Sequence, residues 1–240
     1  MNGDRSPYSW LPAIGCLTIL AVLSLVVLMP LLLVDLMRSA LERLRLSPGA
    51  ALASVIGIFV GSIVNVPVYR IRRDEMQPIN TATLFGPPFW APGWQRLRQD
   101  TIIAVNVGGC VIPLLLAGWQ TMHLFQVGGW PLAALAIVVL ADIFTCYRLA
   151  RPVPRIGILL PGFAAALVAV GMSWLLLSGA DVLPYRPPVA FVAGVLGPLV
   201  GADLLHLRDI TSVPVGMLSI GGAGTFDGIV LSSFLAALLV

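Results

Sequence analysis

Apolar positions in this chain gather into seven long runs, near residues 11–35, 49–68, 101–121, 130–147, 156–178, 189–207 and 214–239, with short polar or Arg-rich stretches between them. An α-helix needs roughly 20 apolar residues to cross the hydrocarbon of a bilayer, and the runs approach that length. The pattern predicts an all-α membrane protein: a polytopic helical bundle of about seven transmembrane helices, forming one integral membrane domain over residues 1–240. The first run could be mistaken for a signal peptide, but it is longer than a typical apolar core and no small-x-small cleavage site follows it, so it reads as a retained membrane helix. The last run is the least regular, because Gly221, Gly222 and Gly224 interrupt it. If 214–224 is looped or re-entrant, helix restarts near Thr225, with Thr225 as its cap.

Polar residues and helix breakers sit inside several runs: Asn65 and Pro67 in GSIVNVPVY, Asn106, Gly108, Gly109 and Pro113 in AVNVGGCVIP, Pro161 and Gly162 in GILLPGF, Gly197 and Pro198 in VLGPLVG. A Pro inside a span frees a carbonyl, and an Asn amide can re-satisfy broken backbone or line a wet cavity. Close helix packing explains any one of these residues. Their recurrence in four spans predicts broken helices around a polar pocket. The longest connection, 69–100, opens with the charged stretch RIRRDEMQ and continues as LFGPPFWAPGW, which suits irregular chain lying at headgroup level.

Composition supports a lipid partner. Hydrophobic residues make up 58% of the chain and charged residues 10%, against roughly 25% charged in soluble domains, and mean hydropathy is +0.97. No basic cluster carries the interleaved aromatics that would track a phosphate backbone, so nucleic acid is not an expected partner. All 14 basic residues are Arg. Ten (Arg5, Arg70, Arg72, Arg73, Arg96, Arg98, Arg148, Arg151, Arg155 and Arg208) fall on one side of the seven-span arrangement and four on the other. Positive-inside bias then places the N-terminus in the cytoplasm and the chain in the inner membrane. The three cysteines, Cys16, Cys110 and Cys146, lack the number and spacing of a disulfide framework.

The chemistry-bearing candidates are three aspartates in apolar surroundings: Asp142 in AIVVLADIFTC, Asp203 in LGPLVGADLLHL and Asp227 in SIGGAGTFDGI. A carboxylate at bilayer depth costs several kcal/mol unless it is paired or hydrated, which makes each a candidate site residue. Asp142 and Asp203 precede Arg148 and Arg208 by six and five residues, so both sit roughly 8–9 Å inside the same end of their helices. Asp227 joins them only if 214–224 leaves the helix; it then stands near the positive end of the helix dipole, where a purely structural role is equally natural. Asn65, Asn106, Thr225 and His206 are the candidate substrate- or ion-binding residues around them. Proton- or cation-linked transport of a small solute, with the aspartates carrying exchangeable charge, is the leading expectation. An intramembrane aspartyl hydrolase, in which two close carboxylates share a proton, is the alternative. A non-catalytic membrane scaffold is a third. Asp203 with His206 and Asp142 with Cys146 share helix faces, but two such pairs are a thin basis for a metal, and neither metal nor cofactor is expected.

ADIFTCY and GILLPGFAAAL resemble parts of the two catalytic segments of presenilin and signal peptide peptidase-type aspartyl proteases. The similarity is incomplete: Ile158 stands where the second aspartate belongs, and Ala141 where a Tyr precedes the first. A broader resemblance, through GSIVNVPVY, AVNVGGCVIPLLL, RIGILLPGF, GPLVGADLLHL and SIGGAGTFDGIVLSSFLAALLV, is to an uncharacterised family of bacterial and archaeal multi-pass membrane proteins, a domain of unknown function. That resemblance implies membrane location and marks the segments of Asn65, Asn106, Asp203 and Asp227 as signature positions, without assigning them roles.

Overall fold

The computed structural model describes residues 11–78, 94–153, 157–161, 163–207 and 217–240. Apolar helices dominate. They are α1 (Leu11–Arg43), α2 (Pro48–Gly61), α3 (Ile112–Val127), α4 (Gly129–Leu149), α5 (Ala164–Leu176), α6 (Arg186–Leu196) and α7 (Gly228–Leu239). Pro48 opens α2 behind Ser47, whose hydroxyl accepts from Ala50 N at 3.3 Å, a helix start in which the residue without an N–H sits where none is needed. A short 3₁₀ segment, Ala180–Tyr185, leads into α6, and α6 runs on into π turns over Gly197–Leu204. Another π segment, Val107–Val111, leads into α3.

Four helical stretches among the described residues are long and apolar enough to cross a membrane: Gly15–Arg43, Val107–Val127, Gly129–Leu149 and Ala180–Leu204. This is a membrane protein, with four such stretches where about seven spans were expected; the helices in the remaining runs, Pro48–Gly61, Ala164–Leu176 and Gly228–Leu239, are shorter. The run at 49–68 leaves the helix at Gly61 and becomes strand β1 (Asn65–Pro78). The run at 101–121 starts in strand β2 (Trp94–Asn106), and the run at 214–239 holds strand β5 (Met217–Ile220) before its helix. The stretch at 156–178 likewise begins as β4 (Gly157–Leu159), paired antiparallel with β3 (Arg151–Val153). An all-α fold therefore gives way to a helical bundle carrying two small sheets.

The larger sheet has the order β1-β2-β5. β1 and β2 pair antiparallel from Asn65↔Asn106 out to Pro78↔Trp94, with an irregularity between Pro67 and Tyr69, where a Pro cannot donate to the ladder. β5 pairs parallel to β2 through Ile102↔Met217 to Val105↔Ile220. The ends of the expected loop 69–100 are thus hairpin. Its Pro- and aromatic-rich segment falls outside the described residues except at Trp94, as do Arg155, Arg208 and Pro214.

Helix α6 is the centre of the bundle: every residue from Pro188 to Val195 is buried. It meets α7 at Gly194, where a Cβ would lie 2.7 Å from Ser233 Cα, and the Ser232 hydroxyl donates to Gly194 O at 2.6 Å. At the end of the bundle away from the larger sheet, Arg43 Nη1 donates to Val240 O at 2.8 Å and Gln120 Nε2 to Leu44 O at 2.8 Å. Leu33 of α1 shares a crevice with Thr225 and Leu238 at the two ends of α7, so α1 runs parallel to α7 and its earlier turns pass beyond the α7 N-terminus. From Cys16 to Leu32 each described side chain of α1 is exposed, a surface that suits lipid on all sides.

Helices α2, α5 and α7 have 14, 13 and 12 residues, hence about 18–21 Å, against hydrocarbon about 30 Å thick. Helix α2 ends, and α5 and α7 begin, at the sheet end of the bundle.

Candidate functional site

At that end three chain breaks meet. Asn106 closes β2, and its Oδ1 accepts from Gly109 N at 2.7 Å, capping the π segment that leads to α3. Its Nδ2 donates to Ser62 O at 2.8 Å, just past the end of α2, and to Asn65 Oδ1 at 3.1 Å. The same Asn65 oxygen accepts from the Ser219 hydroxyl of β5 at 2.5 Å. The Ser62 hydroxyl, which donates to Ile58 O at 2.6 Å, also lies 3.1 Å from Thr225 Oγ1. Asn106 is fully buried. Gly221 makes the closest approach: its φ is 70°, and a Cβ there would stand 2.7 Å from Gly109 C and 2.8 Å from Cys110 Cβ, so only Gly fits. Asn65 and Asn106, the expected ion- or substrate-binding residues, tie α2, α3 and β5 together.

Asp227, and not Thr225 as expected, is the cap of the last helix. The chain from Met217 to Phe226 is strand, turn and a 3₁₀ turn, as a non-helical 214–224 required, but helix restarts at Gly228 and Asp227 is its N-cap. Asp227 Oδ1 accepts from Ile229 N at 3.0 Å and Oδ2 from Ala223 N at 3.3 Å, so the carboxylate both caps α7 and closes the preceding turn. Thr225 is buried and faces Ser62.

Asp142 is in a different situation. It is 0% exposed, in the middle of α4. Cys146 Sγ, one turn on, donates to Oδ1 at 3.7 Å, a long contact to a weak donor. Oδ2 has no partner, a condition it shares among the described residues with the Ser173 hydroxyl. It presses on Gly197, where α6 widens into its π turns; any Cβ at Gly197 would collide with it. One turn further on, Gly201 packs on the Ile143 carbonyl, and a Cβ there would come within 2.9 Å of Cys146 Cβ. Helix α4 and the Gly197–Leu204 segment therefore approach closely through a Gly-x-x-x-Gly pair, Gly197 against the Asp142 side chain and Gly201 against α4 backbone.

Asp203 lies on that π segment, half-buried, and makes no hydrogen bond to a described residue. It stands within range of the charge of Asp227, and Cys110 within range of both. Cys146 lies within range of Asp142 and Asp203. The acidic groups thus form a series, from Asp142 inside the bundle past Cys146 to Asp203 and on to Asp227 at the sheet. His206 turns back on its own helix: Nδ1 donates to Ala202 O at 3.0 Å, and the ring stacks on Tyr147 with centroids 4.9 Å apart. Among the described residues no three His, Cys, Asp or Glu side chains converge as a metal site.

Sequence reasoning passed over Ser62 and Ser219, and marked Gly197 only as a helix breaker. Ser62 stands three residues before Asn65 and Ser219 two before Gly221, so small polar residues beside the marked breaks were the available signal. Gly197 and Gly201 form a readable Gly-x-x-x-Gly, although nothing local shows that Asp142 is what they face.

No curated protein and no solved structure matches the chain. Residues 59–239, which hold the whole hydrogen-bonded junction and the three aspartates, match the family described as "Protein of unknown function (DUF1614)", and the chain belongs to that family.

Proposed function

We propose that the chain carries out proton- or cation-linked transport of a small solute, with Asp142 as the group that takes up and releases charge. The single observation behind this reading is the orphaned Asp142 Oδ2, fully buried against a break in the neighbouring helix. An anion there has no counter-ion among the described residues and only the weak Cys146 thiol as donor, and carrying a proton relieves that cost. Cys146, Asp203 and Asp227 continue from it toward the non-helical backbone beside the larger sheet; in this reading that backbone lies at membrane depth and lines water. By positive-inside bias the Arg-rich connections would face the cytoplasm of an inner-membrane protein.

The intramembrane aspartyl hydrolase draws support from Asp203 and Asp227 feeling each other's charge. Against it, both Asp227 oxygens already accept backbone N–H groups, which leaves that carboxylate poorly placed to share a proton. A scaffold explains Asp227 and the Asn junction but gives no reason for Asp142.

The test is reconstitution into liposomes holding a pH-sensitive dye, under imposed proton, sodium and potassium gradients. The unsubstituted chain should move protons above the level of empty liposomes, and Asp142→Asn and Asp203→Asn should return the signal to that level while remaining folded by circular dichroism. A signal from the unsubstituted chain no greater than that of empty liposomes under all three gradients sinks the proposal, and so does full activity in Asp142→Asn.

A further inference from the structure

Asp142 also bears on the shape of the element it touches. The Gly197–Leu204 segment is eight residues of π-helix at the end of the central helix α6. A π turn holds more residues than an α turn, and π-bulges recur at functional sites. Returning one such turn to α geometry rotates everything beyond it by about 100°, the angle per residue of an α-helix. Here the rotated part includes Asp203 and leads to Leu205 and His206. The segment rests on α4 through Gly197 and Gly201, so small side chains, without interlocking large ones, hold the contact. Two of its supports are themselves weak: the thiol contact of Cys146 to Asp142 at 3.7 Å and the unpartnered Oδ2.

We infer that the Gly197–Leu204 segment is a two-state element, seated on α4 with its π turns while Asp142 carries a proton and released from that seat when Asp142 loses it. This rests on the transport reading and adds to it the means by which a proton on Asp142 changes the exposure of Asp203. A neutral carboxyl fits against the Gly197 backbone, and its O–H can donate to a carbonyl. A carboxylate in the same place has only the weak Cys146 thiol as donor and gains from reaching water, which requires the segment to move away. The titratable groups around it are Cys146 and Tyr147 on α4, Asp203 and His206 on or just past the segment, Cys110 at the start of α3 and Asp227 at the cap of α7. Of these only Cys146 contacts Asp142 through a hydrogen bond.

The experiment is a pulsed electron–electron distance measurement on the full chain in lipid nanodiscs. Spin labels are attached at the exposed positions 140 on α4 and 205 past the segment, with Cys16 replaced by Ser. A second distance peak should grow as pH rises and be absent at every pH in Asp142→Asn. Asp203→Asn should keep the pH-dependent peak. A single, pH-independent distance in the parent chain overturns the inference, as does a transition that survives Asp142→Asn or disappears with Asp203→Asn. The outcome separates from that of the transport test: Asp142-dependent proton flux with one fixed distance removes the two-state element and leaves the transport reading intact. Moving distances without flux do the reverse.

Discussion

Two polar regions lie close together in this membrane protein and follow opposite rules. In the junction of Ser62, Asn65, Asn106, Ser219 and Thr225, the amides and hydroxyls are engaged with strands, helix ends or one another. In the seam between α4 and the Gly197–Leu204 segment, one carboxylate oxygen is buried with nothing to accept from. A satisfied polar network in a low-dielectric setting fixes one arrangement, while an unsatisfied buried group is a point where the structure can change state. The contrast teaches that buried polarity alone does not mark a working site. Whether its hydrogen bonds are complete is the better guide.

That contrast can be broken experimentally. The largest loss is expected for Asn106→Leu, which removes the cap of the π segment and leaves Ser62 O and Gly109 N without their partner. A destabilisation on the order of 3 kcal/mol follows from orphaning such groups, measured as a fall in thermal unfolding temperature in detergent. An unchanged transition would mean the junction is decoration. Gly221→Ala comes next, at about 2 kcal/mol, because the new methyl must adopt a positive φ and meet Gly109 backbone at once. The same melt reads it, and a loss no larger than that of an exposed Gly171→Ala would deny the close approach.

Asp227→Ala should cost about 1 kcal/mol, the usual value of an N-cap, and Asp227→Asn less, since an amide oxygen still accepts from Ile229 N. If Asn proves as harmful as Ala, the charge matters beyond capping and the role of Asp227 needs revision. The smallest change in stability, within about 1 kcal/mol and of either sign, belongs to Asp142→Asn, since no strong hydrogen bond is lost. Proton flux should nevertheless vanish in that variant. A large loss of stability there would turn Asp142 into another member of the rigid junction and erase the difference between the regions.

Much of the architecture was readable in the residues. Gly129–Leu149 is helical to within two residues of the run expected at 130–147, because nothing in it breaks the helix. Gly and Asn correctly marked the neighbourhoods of Asn65, Asn106 and Gly221 as places where the apolar runs are not continuous helix. What replaces the helix was not readable. Val66, Val68, Tyr69 and Ile71 are as apolar as the span before them, so a strand there merges with the run of α2 when only hydrophobicity is followed. Likewise the sequence leaves Asp227 open between a site residue and a helix N-terminal carboxylate, and its bonds to Ile229 and Ala223 are visible only in the fold.

By itself the order of residues determined where this protein resides and where its helices stop, because burial in lipid and helix breaking act over a few neighbouring residues. Tertiary structure decided which polar groups are used up and which is left over. Asn65 meets Ser219 across 154 residues and Asp142 meets Gly197 across a helix interface. Such pairings depend on strand register and helix contact, which no local stretch of sequence contains.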